Sequence, residues 1–219
     1  MGLNEKIEDL LLEYSAGSLS ETPSMLVATH LALSPASRRL VRDMEAIGGA
    51  LFSLNDRDPV SVASLDVQTL PRPEELSKNK ASAVLDQTNG GDVRFPEPLR
   101  SLLTAAGGVA WRRKLPGLKE FRLPQQSDGC TAVLYQINAN RSMPQHTHEG
   151  DEVTLVLEGG FSDHTGSYKA GDIAVADPSI DHRPNADPEG DCICLAVTDG
   201  PLKLTGPIGR IVSALGKLK

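Results

Sequence analysis

The sequence predicts an α+β chain in which a small helical unit over residues 1–60 and a polar linker over 61–94 precede an antiparallel β-barrel with a C-terminal tail over 95–219. Two observations carry this division. Near the N-terminus apolar residues recur at spacings of three and four, the period of a helix face, whereas beyond Pro96 they gather into short β-branched runs between turn residues. Between the two, from about Ser53 to Phe95, Asp, Ser, Asn, Pro, Gly and Lys dominate, most densely in Pro71-Arg72-Pro73-Glu74-Glu75 and Thr88-Asn89-Gly90-Gly91-Asp92.

The elements follow in order. Leu3, Ile7, Leu10, Leu11 and Tyr14 fall on one helical face, with Asn4 as a candidate cap and Ala16-Gly17-Ser18 as the stop. A second helix opens at Ser20 with Glu21 and Pro23 in its first turn and carries Met25, Leu26, Ala28, His30 and Leu31. A third begins at Ser34-Pro35, a cap followed by a proline, and runs through Leu40, Val41, Met44 and Ile47 to an expected end at Gly48-Gly49. Helices this short must pack together or on a partner. Residues 131–137, 152–157, 173–176 and 192–197 read as strands. In the tail from Pro201, Ile208, Ile211, Val212, Leu215 and Leu218 have helical spacing, which predicts a short helix, packed back on the barrel or binding a partner.

Composition narrows the function. The 219 residues carry a formal charge of −7, which rules out a chain-wide basic surface for nucleic acid or anionic membrane. No apolar stretch is long enough for a membrane helix, and Met1-Gly2-Leu3-Asn4-Glu5-Lys6 lacks the pattern of a secretory leader, so a cytoplasmic location is expected. Cys130, Cys192 and Cys194 are an odd set without an export signal, so a disulfide framework is not expected. Cys192 and Cys194 alternate by two and share a strand face, either as buried thiols or as a redox pair.

The most specific signal is His146-Thr147-His148-Glu149-Gly150-Asp151-Glu152, followed by Gly159. On a strand His146 and His148 project to one face, and Glu152 returns to it after a short irregular step, a donor set for a divalent metal. The spacing matches the first cupin motif, with Asn140 where a leading glycine is usual. Gly171-Asp172 and Asp177-Pro178-Ser179-Ile180-Asp181-His182 match the second, which supplies His182 as the fourth ligand. Asp177, Ser179 and Ala186 replace its usual Pro, Gly and Asn. Set against single core or surface histidines, four ligand-type residues at this spacing favour a metal site. His164, Glu149 and Asp151 read as solvated.

Over nearly its whole length the chain resembles ChrR-type anti-sigma factors. The resemblance rests on Leu11-Leu12-Glu13-Tyr14-Ser15-Ala16-Gly17-Ser18-Leu19, Val27-Ala28-Thr29-His30-Leu31-Ala32-Leu33, Met44-Glu45-Ala46-Ile47-Gly48-Gly49, Pro98-Leu99-Arg100 and Trp111-Arg112-Arg113-Lys114-Leu115-Pro116-Gly117, besides the cupin ligands. It implies that the helices bind an extracytoplasmic-function sigma factor, and that a jelly-roll cupin domain holds one zinc through His146, His148, Glu152 and His182. It further implies that the cupin serves sigma release under oxidative stress such as singlet oxygen. The family also holds zinc in its helical domain, through an early histidine and H-x-x-x-C-x-x-C. Here His30 is kept, Ser34 and Ser37 stand at the cysteine positions, and Glu5 or Lys6 aligns with the early histidine. A neutral hydroxyl is a poor zinc ligand, so no metal is expected in the helices, which leaves Ser34 as a cap and His30 as a lone histidine.

Two rival readings use the same barrel. Three imidazoles and a carboxylate serve iron, manganese or nickel as well as zinc, so a metal-dependent dioxygenase or isomerase fits the ligands. A small-ligand-binding cupin with the helices as a dimerisation arm fits as well, and a homo-oligomer is compatible with either.

Overall fold

The structure, a computed structural model, describes residues 3–54, 95–124 and 128–206. The expected linker over 61–94, the boundary at 60 and the tail beyond 206 lie outside the described residues.

Helices α1 (Leu3–Ser15), α2 (Glu21–Leu33) and α3 (Pro35–Leu54) pack around Leu11, Val27 and Val41. Helix α1 stops where the sequence predicts, but it starts at Leu3, one residue before the expected cap position Asn4. Helix α3 starts as predicted, with the Ser37 N–H donating to Ser34 Oγ at 3.3 Å. It runs past Gly48-Gly49 to Leu54. Two glycines cost about 1 kcal/mol each against alanine, too little to stop a helix whose apolar stripe continues at Ile47 and Leu51.

Helix α2 is buried on two faces because it is sandwiched between the other helices and the barrel. Val27 faces α1 and α3, while Met25 and Leu26 join the barrel residues Leu134, Leu155, Ile193 and Leu195, together with Leu99 and Leu103 of α4 (Leu99–Ala105). Ser20 sits at the N-cap position without a side-chain cap bond of its own. The cap comes from the barrel: the Thr22 N–H donates to Asp128 Oδ2 at 2.8 Å and the Thr22 hydroxyl to Oδ1 at 2.9 Å. Two further contacts tie the units together. Lys6 Nζ donates to Asp177 Oδ2 at 2.6 Å, and His30 Nδ1 lies 2.8 Å from the Gly171 carbonyl. That carbonyl only accepts, so Nδ1 carries the proton and Nε2 accepts from the Ser37 hydroxyl at 2.8 Å, with Ser34 Oγ 3.0 Å further along. His30 is thus not a lone histidine; it links α2, α3 and the barrel. Burial lowers its pKa, against the opposing bond to Gly171 and the charge of Asp172, and favours the neutral ring that this chain of bonds needs.

The barrel has strands β1 (Arg112–Leu115), β2 (Leu118–Arg122), β3 (Thr131–Ile137), β4 (His146–His148), β5 (Glu152–Glu158), β6 (Gly160–Ser162), β7 (Ser167–Lys169), β8 (Ile173–Ala176), β9 (Asn185–Ala186), β10 (Cys192–Thr198) and β11 (Leu202–Leu204). They form an antiparallel sheet in the order β1-β2-β3-β10-β5-β8, a sheet β7-β6-β9 and a pair β11-β4. Strand β10 is central and covered on both faces. Ile193, Leu195 and Val197 meet the helices, while Cys192 and Cys194 turn into the barrel beside Ile137, Val156 and Phe161. Double coverage explains why 192–197 reads as an unbroken apolar run. Where the tail begins, ahead of the segment expected to be helical, the chain is extended. Leu202–Leu204 is a strand paired with His146–His148, because β4 otherwise presents an unpaired edge. Among the described residues no helix is long and apolar enough to cross a membrane.

Candidate metal centre

Strand β4 presents His146 and His148 to the same inner face. The chain reaches it through Asn140, whose φ of 59° is left-handed, the conformation for which glycine is usual and which asparagine tolerates. Glu152 opens β5, opposite Ala176 of β8 and Thr198 of β10. At the far end of β5, Gly159 has φ 68°, and a Cβ there would meet the Asp191 carbonyl at 2.3 Å, so only glycine fits. His182 is brought in by direct backbone pairing with His146, whose N–H and C=O bond those of His182 at 3.0 and 2.9 Å. In the turn before it, the Asp177 side chain accepts from the Ser179 N–H and hydroxyl, replacing the Pro and Gly of the usual motif.

All four predicted residues are buried, and their ligand atoms lie within 4.8 Å of one another. Thr154 donates to Glu152 Oε1 at 3.1 Å, while Oε2 lies 3.3 Å from His148 Nε2. His146 Nδ1 donates to the Pro144 carbonyl at 2.7 Å, and His182 Nδ1 to Asp163 Oδ2 at 2.9 Å. With both protons placed on Nδ1, the two Nε2 lone pairs face each other at 3.1 Å. His148 is buried with neither ring nitrogen in a hydrogen bond. Opposed lone pairs and an orphaned imidazole beside a carboxylate are what a shared cation satisfies, so the residues present fit a divalent metal.

The electrostatics agree. Burial, reinforced by repulsion from His182 and His148 and opposed by the Pro144 bond, lowers the His146 pKa to about 4. Burial also lowers that of His148, against the pull of Glu152. Neutral imidazoles keep their lone pairs for a metal at neutral pH. Asp163, behind His182, is not singled out by the sequence, in which only its neighbour His164 stands out. Burial would raise the Asp163 pKa, but bonds from His182 and from the Thr165 hydroxyl and N–H hold it down at about 2. The only sequence signal was the Asp163-His164-Thr165-Gly166 turn; His164 in that turn, and Glu149 and Asp151 between β4 and β5, are exposed as expected. Both late cysteines are buried, and Cys194 borders the small cavity beside His146 and Glu152. Its thiol is held protonated by the neighbouring Cys192 and by burial.

A family model described as the ChrR cupin-like domain matches residues 100–203. The anti-sigma-E factor ChrR of Cereibacter sphaeroides is 35% identical over 221 residues, spanning 97% of this chain and 97% of that protein. The crystal structure of Rhodobacter sphaeroides SigE in complex with the anti-sigma ChrR matches with a TM-score of 0.67 and 37% identity, covering 88% of this chain and 96% of that one. Helices and barrel are thus matched together, and the chain belongs to the ChrR family of anti-sigma factors.

Proposed function

We propose that this chain inhibits an extracytoplasmic-function sigma factor by binding it through α1–α3, in the cytoplasm, without touching nucleic acid or membrane itself. The observation that carries the reading is the outer face of α3. Leu40, Ile47 and Leu51 recur at i, i+7 and i+11 on one stripe, and Ile47 is 62% exposed and Phe52 82% exposed, with Leu12 of α1 also uncovered. Val41, on the other side of α3, is buried against Leu11 and Val27, so the bundle has an inner core and an unused apolar exterior. The family membership says what covers such a face. Apolar side chains would seat in grooves of the sigma factor, and the charge of −7 favours approach to a basic, DNA-binding partner.

In this reading residues 1–60 are the sigma-binding unit, 61–94 a linker and 95–219 a regulatory cupin without catalysis. His146, His148, Glu152 and His182 hold one zinc, and Asp163 orients His182. Zinc supplies a redox-inert Lewis-acid centre, so a response to oxidative stress has to act through the ligands, a bound molecule or nearby thiols. The test is titration of the zinc-loaded chain with its cognate sigma factor. Ile47→Asp with Leu51→Asp should weaken binding about a hundredfold while leaving the melting temperature nearly unchanged. Undiminished binding by this variant, or oxygen consumption by the loaded protein, overturns the reading.

A further inference from the structure

The concave face of the large sheet carries charge where a packed barrel would carry apolar groups. Glu120 of β2 is 5% exposed, with Lys114 Nζ at 3.1 Å and Arg122 Nε at 3.7 Å, the two cations themselves half-exposed. All three line a cavity of about 680 Å³ that is also lined by His148 and Glu152. The size lies within the range of small-molecule sites. Its remaining walls are mostly apolar, with Leu118 and Val133 on the sheet and Leu204 on β11, interrupted by Thr131, Tyr135 and Thr198. Leu115 and Leu202, among the exposed large apolar side chains, stand at its edge.

Charge and shape together select a ligand class. Glu120 and Glu152 face Lys114, Arg122 and whatever cation the four ligands hold, so the metal-loaded lining is net positive and best completed by an anion. An inorganic anion would leave the leucines and Val133 facing empty space. We propose that the barrel binds a small monocarboxylate with a hydrocarbon body, its head among these positive groups and its body along Leu118, Val133 and Leu204. This goes beyond the sigma-binding reading and does not rest on it.

Calorimetric titration of the zinc-loaded full chain with octanoate, octanol and octylamine tests it, because the three share a tail and differ in charge. Octanoate should bind at least about tenfold more tightly than octanol, and octylamine more weakly than either. Val133→Trp, which fills the chamber, should abolish octanoate binding. Lys114→Gln with Arg122→Gln removes the two positive charges while leaving an amide donor beside Glu120 at each position, which keeps the test open should the tryptophan variant not fold. It should cost octanoate about tenfold and leave octanol unchanged. Equal affinity for the three probes, or octanoate binding untouched by either set of substitutions, overturns the proposal.

Discussion

At the scale of single residues, the metal centre depends on which nitrogen of each imidazole carries its proton. Asp163 fixes this for His182 and the Pro144 carbonyl fixes it for His146. Only Asp163 can be removed by substitution, and it touches no proposed ligand other than His182. Asp163→Ala should lower zinc affinity by about 10–100-fold in competition with a chromophoric chelator, while circular dichroism stays native. The four ligands were legible in the sequence because their spacing mirrors strand geometry: two residues apart for one face, and a fixed step to the next strand. Asp163 was not legible, because it approaches His182 from another hairpin and no local spacing encodes that distance. The left-handed Asn140 was visible as a departure from a motif, and only its φ explained why that departure is tolerated.

At the scale of elements, helix α2 shows how far a local signal can mislead about cause while being right about place. Ser20 marks the start of the helix, yet the orphan N–H of Thr22 is satisfied by Asp128, from a loop far along the chain. Burial alone would raise the Asp128 pKa, but the bonds from Thr22, Cys130 and Ser20 bring it from 3.8 to about 2. A carboxylate whose folded pKa is depressed stabilises the fold above its unfolded pKa and loses that contribution as pH falls through the folded one. The melting temperature of Asp128→Ala should therefore lie below that of the parent at neutral pH, with the gap closing between about pH 4 and pH 2. A gap that persists at the acid end would assign the loss to packing. Helices α1–α3 were legible from their period and strands β3, β5, β8 and β10 from their β-branched runs, whereas α4, β1 and β2 were not. Strands β6, β7, β9 and β11, of two or three residues, were not legible either, since so short a run holds no period and exists only because a partner edge is there.

At the scale of the whole molecule, the helices and the barrel share one core. Leu26 has no exposed surface and packs where α2 meets the sheet, so Leu26→Ala should destabilise by about 2–5 kcal/mol. Differential scanning calorimetry should show the helical and barrel transitions falling together; two separated transitions would mean the interface is weaker than its burial suggests. The sequence could not reveal this union, because the apolar residues of α2 carry no mark of which surface they meet. The long reach of the α2 cap also has a consequence in time. Asp128 follows Thr22 by 106 residues, and at about 5–20 residues per second a ribosome needs roughly 5–20 s to cross that interval. Throughout it the nascent second helix lacks both its cap and the sheet that will cover Met25 and Leu26. Synthesis therefore opens a window of seconds in which this segment is available to chaperones before the finished barrel closes over it.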